Sequence, residues 1–277
     1  AWPSGQKTED GKIAACDPKS MLNALMFEAL AAGDTAGVAK WLDFGARLDH
    51  RETIHEGGAT PLMWAVTRRD LEMTRLLLER HADPNIADDT GRTPLLASAR
   101  MHDRAFMELL LSFDATDRNC TMHGTLITPL HILARDGVVD LCELLLDAGA
   151  DVNRQSSTGE SALHFACRES HLDVVKLLLA RGADPRMRAA TLDREPMHYA
   201  CQAGSMDISL LLFRHGCSPY AKERTGRTAV AVARNYNHYE LATTLVENER
   251  DRREGAERAR VAAVRAAELA AREEAER

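Results

Sequence analysis

A chain of 277 residues, 45% hydrophobic and carrying a formal net charge of −7, has room for one large domain or two ordinary ones. Its acidity counts against a nucleic-acid binder, whose domain is usually basic, and no run reaches the ~20 apolar residues of a membrane span. The opening AWPSGQKTEDGK lacks the basic start and apolar segment of a signal peptide, and six cysteines without a CxxC pair read as reduced thiols of an intracellular protein.

Residues 1–20 are polar, aperiodic and punctuated by Pro3, Gly5, Gly11 and Pro18, which reads as a flexible leader in which Trp2 is the one candidate to dock. From Met21 a pattern repeats. One landmark is a loop pair: Gly45-Ala46, His81-Ala82, Asp114-Ala115, Gly149-Ala150, Gly182-Ala183 and Gly216-Cys217, at steps of 36, 33, 35, 33 and 34. A second starts at Thr60, Thr93, Thr128, Ser161, Glu195 and Thr228, at steps of 33, 35, 33, 34 and 33. Two independent landmarks with one period define repeat units at about 21–50, 51–87, 88–120, 121–155, 156–188, 189–222 and 223–247.

The stretch SALHFACRESHLDVVKLLLARGADP, Ser161–Pro185, shows what one unit contains. Ser161 can cap a first helix carrying Leu163, Phe165 and Ala166, and in sister units Pro61, Pro94 and Pro129 occupy the first turn, where a missing N–H costs nothing. Ser170-His171 breaks that helix. Leu172, Val174, Val175, Leu178 and Leu179 then recur at helical spacing, and Gly182 ends the second helix in a left-handed conformation. Such a helix pair cannot bury both its faces alone, whereas stacked neighbours can.

The motifs TPLMWA, TPLHIL, SALHFA and EPMHYA, with the LLxxGAD endings, resemble the ankyrin-repeat family over about Leu22 to Val246. The resemblance implies an all-α ankyrin-repeat solenoid of seven stacked helix-turn-helix units with projecting loops. Units one and seven, with ALMF and TAVA in place of TPLH, read as caps. The loops at Leu48–Ala59 and Thr116–Ile127 are longer than the others, and insertions go where they can project.

Residues 248–277 change to Ala, Glu and Arg. Glu249–Arg253, Glu254–Arg258, Glu268–Arg272 and Glu273–Arg277 are favourable i,i+4 pairs, and alanine keeps helix propensity high despite Gly255. Val261, Val264 and Leu269 are too few for a convincing heptad seam. A solvated charged helix extending from the repeats is the first reading; a coiled coil and packing back on the repeats remain open.

His131, His164 and His198 recur at one repeat position. Stacked units lie roughly 10 Å apart, too far to share an ion, and the resemblance implies that such histidines bond neighbouring loops. Cys167 and Cys201 read as buried core thiols. Cys120 with His123, and His50 with His55 and Glu56, make poor metal sets, so no metal is expected. No phosphate loop, GxGxxG, GxSxG or HExxH is present, and neither cofactor nor enzymatic activity is expected.

The family resemblance implies partners on the concave face made by first helices and loop tips. The candidate partner-binding residues there are Trp64, Arg68, Arg100, Met101, Arg135, Asp136, Arg168, Glu169, Gln202 and Tyr236. Arginines recurring at 100, 135 and 168 would grip an extended, carboxylate-bearing peptide; alternatively they pair with neighbouring acids and keep the face soluble. Further positive charge comes from Arg154, Arg186, Arg188, Arg194, Lys222 and Arg224. Leu145…Asp151-Val152-Asn153 resembles a loop pattern hydroxylated on asparagine in some ankyrin proteins, beside a plain turn role for Asn153. The expected function is binding of another protein or peptide, as adaptor, scaffold or regulatory subunit, without nucleic acid or membrane. The alternative is an assembly component whose C-terminal helix contacts a partner or a second copy.

Overall fold

The computed structural model describes residues 18–51 and 57–275. Trp2, His55 and Glu56 lie outside that range. Among the described residues there are fourteen helices and no strand, only an isolated bridge between Lys222 and Thr228. They form seven consecutive pairs. The first three are α1 (Pro18–Ala32) with α2 (Thr35–Asp43), α3 (Pro61–Thr67) with α4 (Leu71–Glu79), and α5 (Pro94–Met101) with α6 (Arg104–Leu111). The others are α7 (Pro129–Asp136) with α8 (Val139–Asp147), α9 (Ala162–Arg168) with α10 (Leu172–Ala180), α11 (Pro196–Ala203) with α12 (Met206–Arg214), and α13 (Ala229–Asn235) with α14 (Tyr239–Ala275). No described helix is long and apolar enough to cross a membrane.

The described residues fall into two compact units, one within Ala1–Pro129 and Asp147–Ala150, the other within Leu130–Leu146 and Asp151–Arg277. In the first, α1 packs on α3 and α3 on α5, while α2 packs on α4 and α4 on α6. In the second, α9 packs on α11 and α11 on α13, with α10 on α12 and α12 on α14. First and second helices thus form separate layers, as stacked pairs must if each is to cover its neighbour's apolar flank.

Local chemistry starts and stops each helix. The hydroxyls of Thr60, Thr93 and Thr228 accept from the backbone N–H of Met63, Leu96 and Ala231 at 3.2, 3.3 and 3.2 Å, satisfying donors that have no partner inside the helix. Asp34 and Asp70 cap α2 and α4 through Gly37 and Met73, both at 2.9 Å. In α9 every residue from Ala162 to Cys167 is buried. In α10 only Val174, Val175, Leu178 and Leu179 are, with Asp173 and Lys176 facing water. The first helices α3, α5, α7, α9 and α11 are therefore enclosed up to their last one or two residues, and a second helix such as α10 is amphipathic.

The terminal pairs differ from the middle ones. Helix α1 begins at Pro18, inside the stretch expected to be leader, because proline is well suited to a first helical position. Helix α14 does not stop after the repeat: it continues for 37 residues. Its described residues from Asp251 onward are all exposed, so this stretch buries no face of its own against the repeats.

At the inter-helix turns, histidines of one repeat lie on glycines of the one before. A Cβ on Gly204 (φ 75°) would come 2.4 Å from the His238 ring, whereas one on Gly182 (φ 85°) would meet nothing within 4 Å. Both substitutions force a side chain into the left-handed region, at ~1–2 kcal/mol. Only the first displaces an imidazole that donates to the Gln202 carbonyl at 3.3 Å. Gly204→Ala is therefore expected to destabilise by about 1 kcal/mol more than Gly182→Ala, measured as urea midpoints at equal m-value.

Candidate functional site

The three repeated histidines are fasteners between repeats. His131 Nε2 bonds the Glu160 carbonyl at 3.0 Å, His164 Nε2 the Arg194 carbonyl at 3.2 Å, and His198 Nε2 the Ala221 carbonyl at 3.0 Å. The backbone N–H groups of Ser161 and Glu195 donate to Nδ1 of His164 and His198 at 3.1 and 3.2 Å. An N–H can only donate and a carbonyl only accept, so both rings are neutral with the proton on Nε2. Burial agrees: it pushes His164 down to about 4 and lowers His131 and His198, against the raising effect of their carbonyl partners.

In the second unit the candidate surface rests on a network of rings and ions. The Arg168 guanidinium lies 5.2 Å from the Phe165 ring centroid and 4.6 Å from that of Tyr199, and it is ion-paired with Glu160. Glu160 Oε1 also accepts the Tyr199 hydroxyl at 2.6 Å, and Oε2 accepts Thr158. Burial and the bond to Glu160 push the Tyr199 phenol up to about 12. His131 meets Phe165 and His164 meets Tyr199 edge to face, at 5.4 and 5.7 Å between centroids. One repeat on, buried Arg194 spans Glu223 and Gln202 Oε1, the latter at 2.8 Å. Burial alone would raise the Glu223 carboxyl, but hydrogen bonds from Thr225, Arg194 and Arg227 hold it at about 2.

The candidate residues therefore have different environments. In the second unit Arg135, Glu169 and Tyr236 are exposed, while Asp136, Arg168 and Gln202 are half-buried. Arg135 pairs with its own neighbour Asp136 at 2.8 Å. In the first unit Arg68 and Arg100 are exposed, and half-buried Met101 packs on the core of Ala59, Met63, Val66, Ala97 and Phe106. Trp64, read from sequence as a surface contact, is only 5% exposed. Its position in α3 faces the core, and the Arg68 guanidinium covers the ring at 4.1 Å.

The remaining suspected sites serve the fold. Burial pushes the Cys120 thiol up to about 12, and the sulfur accepts from Thr93 at 3.1 Å; a protonated, buried thiol is a poor metal ligand. Among the described residues no group of three or more His, Cys, Asp or Glu could hold a metal ion. Asn153 spans two loops, donating to the Gly182 carbonyl at 3.2 Å and accepting from the Asp184 N–H at 2.8 Å. Asn85 does the same for Ala115 and Asp117, both at 2.7 Å.

Repeated caps, left-handed turns, loop-bridging asparagines and imidazole fasteners recur at one period, and comparison with known proteins identifies that combination. The family model for ankyrin repeats in three copies matches residues 25–122 and 114–189, and that for ankyrin repeats in many copies matches 166–213. The chain belongs to the ankyrin-repeat family. Neurogenic locus notch homolog protein 1 of mouse is 38% identical over 128 residues, and its human counterpart 37% over 128. The Neurogenic locus Notch protein of Drosophila melanogaster is 37% identical over 109 residues. These matches cover 46%, 46% and 39% of this chain but only 5%, 5% and 4% of those proteins. Ankyrin repeats are protein–protein interaction modules.

In this ankyrin-repeat protein the ionic network was not anticipated as such. Glu160, Arg194 and Arg227 occupy one repeat position, immediately before the helix cap, and the alternation of sign with Glu223 and Arg168 nearby was the available signal. The buried histidines have a measurable consequence. Their folded-state values lie below the ordinary 6.5, so their contribution to stability is complete above pH 6.5 and declines below it, for His164 as pH falls toward 4. Between pH 6.5 and 5 His164 alone accounts for about 2 kcal/mol. Urea unfolding from pH 7.5 to 5 should show that decline, and His164→Gln should lower stability at pH 7.5 while flattening the slope.

Proposed function

We propose that this chain is an intracellular recognition component, an adaptor, scaffold or regulatory subunit, that takes an extended segment of a partner protein along the exposed ends of its first helices. The observation that carries this reading is Arg168. Its guanidinium lies over two aromatic rings and is tethered to Glu160, yet the side chain remains 34% exposed. An arginine so held loses little conformational entropy on binding, and arginine beside aromatic residues is the composition in which binding hot spots are enriched.

Arg135, Glu169, Gln202 and Tyr236 occupy corresponding positions in the same unit and supply the polar and aromatic variation from which specificity is made. In the other unit Arg68 over Trp64, with Arg100 and Met101, offers the same chemistry. The acidic character proposed for the partner rests on these exposed arginines, because a carboxylate can take two guanidinium bonds at once. In the second unit Asp136 and Glu160 already occupy part of that capacity, so the partner's acids are matched to particular arginines rather than to bulk positive charge.

The test is selection from a displayed library of random peptides. Acid-rich, extended binders are expected, with affinity falling at least tenfold in an Arg100→Ala/Arg135→Ala/Arg168→Ala variant and an unchanged far-ultraviolet helix signal. Arg168→Lys, which keeps the charge but not the planar guanidinium, should recover little of the loss. Peptides that bind the triple variant as tightly as the parent would remove the arginine-edge reading.

A further inference from the structure

The seventh helix pair is followed by the continuation of α14 itself, which runs on past the stack. Leu241, Ala242 and Leu245 are buried as in any second helix, whereas Arg250 and the described residues after it are exposed. A helix leaving a stack in this way has nothing beyond its own backbone to fix its direction, and Gly255 has a lower helix propensity than alanine would. At the point of departure, however, stands Glu249, whose side chain is 4% exposed. It pairs with Arg252 at 2.6 Å through Oε2 and with Arg253 at 2.9 Å through Oε1.

Those two arginines do not stop at the carboxylate. The Arg252 guanidinium lies 4.9 Å from the centroid of Phe213, in α12, and that of Arg253 lies 5.3 Å from the centroid of Tyr220, in the loop after α12. Pairs at i,i+3 and i,i+4 alone would support the helix only locally. The ring contacts cross to other elements. A single buried anion thus holds two cations, and each cation lies over a ring in a different part of the preceding repeat.

We infer that Glu249, Arg252 and Arg253 form a clip that locks the outgoing part of α14 in one direction against Phe213 and Tyr220, making it a rigid strut rather than a swinging tail. Beyond the clip, Arg258 pairs with Glu254 at 3.5 Å and Arg260 with Glu257 at 3.3 Å, maintaining the helix in water without a partner. At 1.5 Å per residue the stretch from Arg250 to the helix end at Ala275 measures about 39 Å. Whatever is joined to its far end is held at that distance and in a set direction from the last repeat.

The experiment is pulsed electron–electron double resonance on the full chain carrying Cys16→Ser, with spin labels on cysteines introduced at the exposed Lys176 and Arg265. The buried native thiols stay unlabelled. A single narrow distance distribution is expected, broadening at least twofold in Glu249→Gln and in Arg252→Leu/Arg253→Leu, with the circular dichroism at 222 nm unchanged. Tyr220→Leu, which leaves the ion pairs intact, should broaden it less. A broad distribution in the parent, or an equally narrow one in the clip variants, overturns the inference. So does broadening that comes with lost helix signal, since Glu249 would then control helix formation and not direction.

Discussion

Every repeat depends on one constraint: a helix pair of this size exposes too much apolar surface unless a neighbour covers it. Stacking meets that need but buries backbone groups in the loops between pairs, and a buried carbonyl without a donor is costly. The imidazoles of His131, His164 and His198 solve this within the stack. In His164 and His198 one ring nitrogen accepts from the repeat's own helix start and the other donates to the next loop. Construction and acid sensitivity therefore have the same origin, because a ring that must accept at Nδ1 cannot take a second proton without breaking a bond.

The same economy governs the candidate surface. Phe165 and Tyr199 pack edge to face on those histidines and simultaneously form the floor under Arg168. A fixed core thus positions a variable edge, and a side chain at the end of each first helix is presented by residues that would be there for stability anyway. Within this chain the arrangement keeps one scaffold while the exposed positions differ from repeat to repeat. It also explains why the arginines are not equivalent: Arg168 is braced by Glu160, Arg135 is paired with its own neighbour, and Arg68 rests on Trp64.

At the C-terminal end the exit of α14 from the stack is held by charge. Where α14 leaves the stack, a buried glutamate and two arginines tie it to the preceding repeat, and exposed Glu–Arg pairs carry the helix into water. The extension is thus continuous with the repeat domain in its backbone and distinct from it in what holds it up.

Much of this was legible in the sequence. The period of Thr-Pro-Leu and Gly-Ala landmarks determined the number of helix pairs, their caps and turns, and the buried face of each helix, because those features depend on residues close together in the chain. His164 as a fastener was legible through the resemblance of its motif to the ankyrin-repeat family. The tertiary structure alone decided which charges meet. Glu160 and Tyr199 are 39 residues apart and Arg194 and Glu223 are 29 apart, and such pairings depend on how one repeat is rotated over the next. Trp64 went to the core and Arg68 onto its ring for the same reason: the pattern marks a position on a helix, but the neighbouring repeat determines whether that position faces water.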